Sequence, residues 1–201
     1  MILIGYSGHG FVVYGIFMAT RKQVTGYCDV TEKEYNPFKL PYFGTENSDA
    51  ALEAIKQNGF FIAVGDNQLR NKIFNNLQQR NLVPGNAIHP SAVIDPSATV
   101  AAHGVMIAAN VSINPLATIG TGAICNTGCI IEHECFVGEF AHIGPGAVLC
   151  GNVKIGEGTF VGANAVIKQG ITVGKNAMIG AGAVVVKNVA DNVTVIGVPA
   201  K

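Results

Sequence analysis

Glu132-His133-Glu134 is the one place in this chain where an imidazole stands between two carboxylates. An imidazole, with a reference pKa of ~6.5, trades a proton near neutral pH. A carboxylate bonded to its other ring nitrogen orients the ring and stabilises the charged form. Such a pair suits a general base that takes a proton from a nucleophile as it attacks. An exposed histidine is more often simply solvated, but clustering with carboxylates that the local pattern does not need favours catalysis at His133. Successive strand residues point to opposite sides, so Glu134 reaches His133 only around a bend or from a neighbouring strand. His142, read from the residues alone, is equally a satisfied corner histidine or a ligand contact. Cys129 and Cys135 fall in positions that point inward while His133 does not, which argues against a shared metal and against a thiol nucleophile. His89 and His103 are given no role.

The element that must position His133 is a repeat of period six. Aliphatic residues recur at Ile107, Ile113, Ile119, Ile131, Val137, Ile143, Leu149, Ile155, Val161, Ile167, Val173, Ile179 and Val185, with Cys125 filling the one gap. A step of six turns an α-helical side chain by ~600° and walks it off any single face. A coil of three short strands fits instead: the aliphatic fills the interior, a small residue packs near the corner, and glycine or asparagine takes the turn. Ile88, Ile94 and Val100 share the period but lie one residue out of register, so an inserted residue is expected near Ala102-His103-Gly104. The expected organisation is a small α/β domain over residues 1–84 and a β-helix over 85–201.

In the first part, strand and helix alternate, which implies a small Rossmann-like parallel sheet. Strands are expected at Met1–Tyr6, Val24–Asp29 and Phe60–Val64, and helices from Phe11 to about Thr20, from about Ser48 to Asn58, and from an Asp66 cap to about Asn81. Ligands of such sheets sit at the carboxyl ends of strands, beside helix N-termini that favour phosphate. Gly5-Tyr6-Ser7-Gly8-His9-Gly10, Asp29 and Gly65-Asp66-Asn67 fall at three such ends. The glycine pattern is G-x-x-G-x-G, which is a weak match to a dinucleotide fingerprint.

Taken together, these residues resemble the bacterial nucleotide-sugar acetyltransferases of the sialic-acid O-acetyltransferase (NeuD-like) family, most nearly the UDP-4-amino-sugar N-acetyltransferases of the bacillosamine pathway. The resemblance runs through Gly5–Gly10, Ile62–Asn67 with Arg70, Asn126–Gly144 and Gly197-Val198-Pro199-Ala200, and is most specific from Ile131 to Ile143. It implies a left-handed parallel β-helix, a homotrimer with active sites between adjacent subunits, and acetyl-CoA as co-substrate. It makes His133 the base and Glu134 its tuning carboxylate. Asn126 lies near the sugar; Ser7, Gly8, His9, Asp29, Val30 and Gly65 bind the UDP part. His142, Ala163 and Ala181 contact acetyl-CoA. Asp66 stands where the family often has asparagine, and a carboxylate beside a diphosphate is unfavourable.

Composition narrows the partners. Lys+Arg and Asp+Glu are 13 each, so no basic footprint for nucleic acid or an anionic membrane is present. No apolar run approaches the ~20 residues of a membrane span. The opening Met1-Ile2-Leu3-Ile4-Gly5 reads as a strand, not a signal peptide, and five cysteines fit a reduced, cytoplasmic protein. The expected activity is N-acetylation of a UDP-linked 4-amino-4,6-dideoxy sugar for surface glycan synthesis. Sialic-acid O-acetylation, N-acetylation of a GDP-linked amino sugar, and a non-catalytic β-helix scaffold are the alternatives.

Overall fold

The computed structural model describes all of residues 1–201. Strand β1 (Ile2–Ile4) lies between β2 (Gly26–Cys28) and β3 (Phe60–Ile62) in a three-stranded parallel sheet. Because β1 is central and the chain leaves it to opposite sides, its carboxyl end is the switch point where such sheets bind ligands. Helices α1 (Gly8–Ala19), α2 (Asp49–Asn58) and α3 (Asn67–Gln78) complete the α/β region.

Helix α1 begins earlier than the sequence reading, at Gly8 and not Phe11. One of its glycines, Gly10, is there for proximity, whereas Gly8 and Gly15 face open space. Gly5 has φ +94°, and a Cβ on Gly10 would stand 2.7 Å from the Gly5 carbonyl oxygen, so helix and strand approach more closely than a side chain permits. Ser48 and Asp66 cap α2 and α3, accepting bonds from the backbone N–H groups of Ala51 and Leu69. The strands are shorter than expected: each pairs over three residues.

From Ala87 onward the chain winds as a parallel β-helix with three faces of seven, six and five strands. Each strand is two residues long, and from Met106 to Val185 its partner is 18 residues on, as Ile124 pairs with His142; the last step, from Met178 to Thr194, is 16. The second residue of each strand points in: Ile107, Ile113, Ile119, Cys125, Ile131, Val137 and Ile143 are all at most 1% exposed. The inserted residue is present. Ile88, Ile94 and Val100 pair with Ile107, Ile113 and Ile119, a step of 19, and the slack is taken up around Gly104 at φ +71°.

The corners follow a backbone rule. Every sixth residue from Asn110 to Gly182 has a positive φ, and all are glycine or asparagine except Leu116, Glu134 and Phe140. The left-handed region costs other residues about 1–2 kcal/mol, so those three positions invite a reason. Phe140 has one: it is 4% exposed and packs edge-on against Phe74 of α3, pinning the α/β region to the first face.

Candidate active site

Glu134 has the second reason. His133 and Glu134 form the turn after the strand Ile130–Ile131, and the positive φ of Glu134 (61°) swings its carboxylate back to the preceding residue. His133 Nδ1 and Glu134 Oε2 are 3.0 Å apart, with both side chains about half exposed. The pair thus forms around a bend, leaving Nε2 to face solvent or substrate. One coil further on, Gly151 lies beneath the ring: a Cβ there would stand 2.5 Å from His133 Cε1 and Nε2. A side chain here would displace the histidine ring above it, while the backbone of Gly151 itself is ordinary.

A second cluster lies where the α/β region meets the first face. His142 is 7% exposed on the strand His142–Ile143. Its Nδ1 is 3.3 Å from the Gly65 carbonyl oxygen and its Nε2 is 3.1 Å from Asn126 Nδ2. A carbonyl only accepts, so Nδ1 carries the proton and Nε2 accepts from the amide. The Asn126 Oδ1 in turn accepts the Thr127 N–H at 2.8 Å. Burial, then the Arg70 charge and the nearby His9, push the His142 pKa down to about 4. His9, whose ring lies 6.0 Å from that of His142, is likewise pushed to about 4 by burial and Arg70. Its Nε2 is buried without a partner.

Ser7 and Gly8, at the open start of α1, lead into this cluster; the Ser7 side chain makes no capping bond. Asp29 ends β2 with its carboxylate engaged by the N–H groups of Tyr6 (2.9 Å) and Val30 (2.8 Å) and by Lys33 at 2.9 Å, so it shapes the loop after β1. Val30 is 81% exposed beside it. Asp66 turns its carboxylate onto its own helix, 2.7 Å from the Leu69 N–H. A cleft of about 400 Å³ runs from Gly65 and Asn67 to Phe160 and Met178, and Phe160 packs edge-on against His142.

Ala163 and Ala181 lie above Asn126 on the edge between the first and second faces. In the corner position just before theirs, Asn126 is followed coil by coil by Gly144, Gly162 and Gly180. Along that edge the Thr127 N–H is satisfied by Asn126 and Pro145 has none, whereas the N–H groups of Ala163 and Ala181 make no hydrogen bond. The edge therefore offers two free backbone donors above one amide side chain.

One separation matters for the chemistry. His133 sits at the corner between the second and third faces, while His142, Asn126, Ala163 and Ala181 belong to the first face and its edge with the second. Within a single chain, His133 and this edge lie on different corners of the coil. The thiols take no part: Cys125, Cys129 and Cys135 are buried, and burial pushes Cys135 up to about 11.

Arg70 and Asn67 are the functional neighbours that sequence reasoning did not assign. Arg70 is 2% exposed, on the same face of α3 as Ile73, Phe74 and Leu77. An arginine at a core position of an amphipathic helix was the available signal.

A coil of hexapeptides bearing a carboxylate-paired histidine and a free-amide edge, joined to a parallel-sheet domain with an open helix start, defines a hexapeptide-repeat acyltransferase. Comparison with known proteins agrees. Residues 1–77 match the PglD N-terminal domain, 134–169 match the bacterial transferase hexapeptide (six repeats), and 152–187 match the hexapeptide repeat of succinyl-transferase. GDP-perosamine N-acetyl transferase from Caulobacter crescentus, solved with CoA and GDP-perosamine, is 37% identical over 100% of this chain and 94% of its own, with a TM-score of 0.92. The acetyltransferase domain of PglB from Neisseria gonorrhoeae, in complex with acetyl coenzyme A, is 32% identical over 100% and 97% of the two chains, with a TM-score of 0.89. WeeI from Acinetobacter baumannii, at 24% identity and a TM-score of 0.82, shares the fold. No curated protein gives a significant match. The chain belongs to the NeuD/PglD family of nucleotide-sugar N-acetyltransferases, and it is an acetyl-CoA-dependent acyltransferase.

Proposed function

We propose that the chain acetylates the amine of a nucleotide-diphosphate-linked 4-amino-4,6-dideoxy sugar, with His133 as general base. The observation that carries this reading is the His133–Glu134 pair at 3.0 Å on a backbone conformation that glutamate adopts only at a cost. The amine attacks the thioester carbonyl of acetyl-CoA as its proton passes to His133 Nε2. The C–N bond forms, the tetrahedral centre collapses with loss of the CoA thiolate, and the proton on His133 is returned to that sulfur. Glu134 holds the Nδ1–H and balances the imidazolium charge. The coenzyme lies along the edge of His142, Ala163 and Ala181, held by the two free backbone N–H groups. The sugar meets Asn126. The diphosphate takes the open start of α1 at Ser7, Gly8 and His9, beside Gly65, and Asp29 with Val30 receives the nucleoside. Residues 1–84 are then the nucleotide-sugar unit and 85–201 the transferase unit.

A composite site between copies of the chain solves the separation of base and coenzyme edge. The outward residues of the second face are Val93, Ser112, Ile130, Val148, Val166 and Val184, whereas those of the third are Thr99, Thr118, Phe136, Lys154 and Thr172. The first face is partly covered by the α/β region. An apolar ladder without an intrachain cover fits self-association. With that face turned to a threefold axis, the His133 corner of one copy sits beside the coenzyme edge of the next, giving a homotrimer with three shared sites.

The resemblance of motifs favours UDP as the nucleotide. A GDP-linked acceptor is the second reading, favoured by 37–38% identity to the GDP-perosamine enzyme. The deciding experiment is CoA-thiol release with UDP- and GDP-linked 4-amino-4,6-dideoxy sugars. Turnover with the UDP sugar that collapses in His133→Ala is expected. Turnover with the GDP sugar alone selects the second reading, and acetyl-CoA binding without turnover on either sugar overturns the proposed acceptor.

A further inference from the structure

Arg70 carries a buried charge that the proposed acetyl transfer does not use. Its Nε donates to the Gly122 carbonyl at 2.8 Å. Nη1 donates to the carbonyls of Val64 and Gly65 at 3.1 Å each, and Nη2 to the Phe140 carbonyl at 2.8 Å and Asn67 Oδ1 at 3.0 Å. All five acceptors are neutral. A buried guanidinium is ordinarily matched by a carboxylate, and the nearest one, Asp66, is spent on capping α3. The guanidinium therefore makes no contact ion pair: Asp66 offsets its charge only through space, and Arg70 still opposes protonation of His9 and His142.

The hydrogen bonds run on from there. The Gly65 oxygen that Arg70 fixes is the acceptor of the His142 Nδ1–H, His142 Nε2 accepts from Asn126 Nδ2, and Asn126 Oδ1 accepts from Thr127 N–H. The second N–H of the Asn126 amide has no protein acceptor. Every donor and acceptor in this chain has one consistent assignment, and the guanidinium sets it from behind.

We propose that Arg70 is a positioning residue for acetyl transfer: by fixing the Gly65 carbonyl and keeping its charge out of any contact ion pair, it holds His142 as the neutral Nδ1–H tautomer, which aims the remaining Asn126 N–H at the bound substrates. The functional part rests on the reading of Asn126 and His142 as substrate- and coenzyme-side residues. The electrostatic part does not. The groups facing His142 are Arg70 from α3, His9 from α1, Asn126 on the adjoining corner, and the uncharged Ile124 and Phe160 on the coils to either side. Arg70 is the only fixed charge among them. A protonated His142 could not accept from Asn126, and the amide would turn over.

The test uses full-length protein with isotope-labelled histidine and follows the ring nitrogens of His142 by NMR. In the unchanged protein, His142 is expected as the Nδ1–H tautomer at pH 7 and neutral down to about pH 5. Asn67→Asp keeps an acceptor for Arg70 Nη2 but adds the missing negative charge. With the fold intact, the His142 midpoint should move to a proton concentration at least roughly threefold lower. The kcat should fall more at pH 5 than at pH 8, with KM for the nucleotide sugar nearly unchanged. Arg70→Gln removes the charge directly; it should move the midpoint the same way and mix the two tautomers. A folded variant of either kind whose His142 keeps its tautomer and midpoint would reduce Arg70 to a brace between the domains and overturn the proposal. The NMR readout stands even where no acetyl transfer is seen, so failure of the proposed activity and failure of this inference are told apart.

Discussion

His133 and His142 stand half a coil apart and live in opposite surroundings. The first is half exposed, paired with a carboxylate, and carried on a turn whose backbone is costly for the residue it holds. The second is bonded to a carbonyl and an amide and is kept from charging first by its burial and then by a nearby guanidinium. A carboxylate partner stabilises the imidazolium that a base must become. A buried, carboxylate-free setting beside a cation forbids that state and leaves a fixed hydrogen-bonding group. On the proposed reading, the two regions divide proton transfer from positioning, and the difference lies in the surroundings, since the side chains are the same.

The largest expected effect comes from removing the base. His133→Ala should lower kcat/KM by about 10²- to 10⁴-fold with little change in melting temperature, because the side chain is half exposed and has one side-chain partner. Gly151→Ala sharpens the geometric part. The new Cβ displaces the ring above it, and a displacement of about 1 Å costs up to ~10²-fold in rate. The backbone at Gly151 is ordinary, so the melting temperature should hold. A large loss of stability there would mean that the glycine serves the coil and not the histidine.

Glu134→Asn separates activity from stability. Asparagine tolerates the left-handed region, so the variant should gain several tenths of a kcal/mol while losing about tenfold in kcat. A simultaneous loss of both would show that Glu134 is there for the fold.

A separate effect, on stability alone, concerns His142 and pH. Its pKa is about 4 in the folded chain and ~6.5 when unfolded, so between these values the unfolded chain binds the extra proton. The stability that depends on a neutral His142 is complete above pH ~6.5 and is lost as pH falls toward 4, by at most roughly 3 kcal/mol. Urea unfolding of the protein and of His142→Gln at pH 7 and pH 4.5 checks this; the variant should lose less on acidification.

Much of this was legible in the sequence. The period of six was plain because each coil needs one aliphatic to fill its interior, and the slip near Gly104 followed because an extra residue shifts every later anchor. His133 and Glu134 stood out because a turn needs neither. The reach of Glu134 was not legible, since it depends on a positive φ that nothing in the residue type announces. The early start of α1 was hidden by Gly8 and Gly10, which read as a loop, although Gly10 is where helix and strand pack closely. The separation of the two histidines was within reach: His142 lies 9 positions beyond His133 in a coil of 18, which puts it on another side. Arg70 was obscured because its partners are carbonyls from distant turns, and carbonyls carry no residue signature.

The central claim is that the base of one copy serves the coenzyme edge of the next. Subunit mixing tests it most directly: His133→Ala and His142→Ala, each poorly active alone, are co-expressed and assembled. If the site is shared, about a quarter of the sites in randomly mixed oligomers pair an intact His133 with an intact His142 from its neighbour, and activity should return to about that fraction. A mixture as inactive as its parents would contradict the account and place both histidines of each site in one chain.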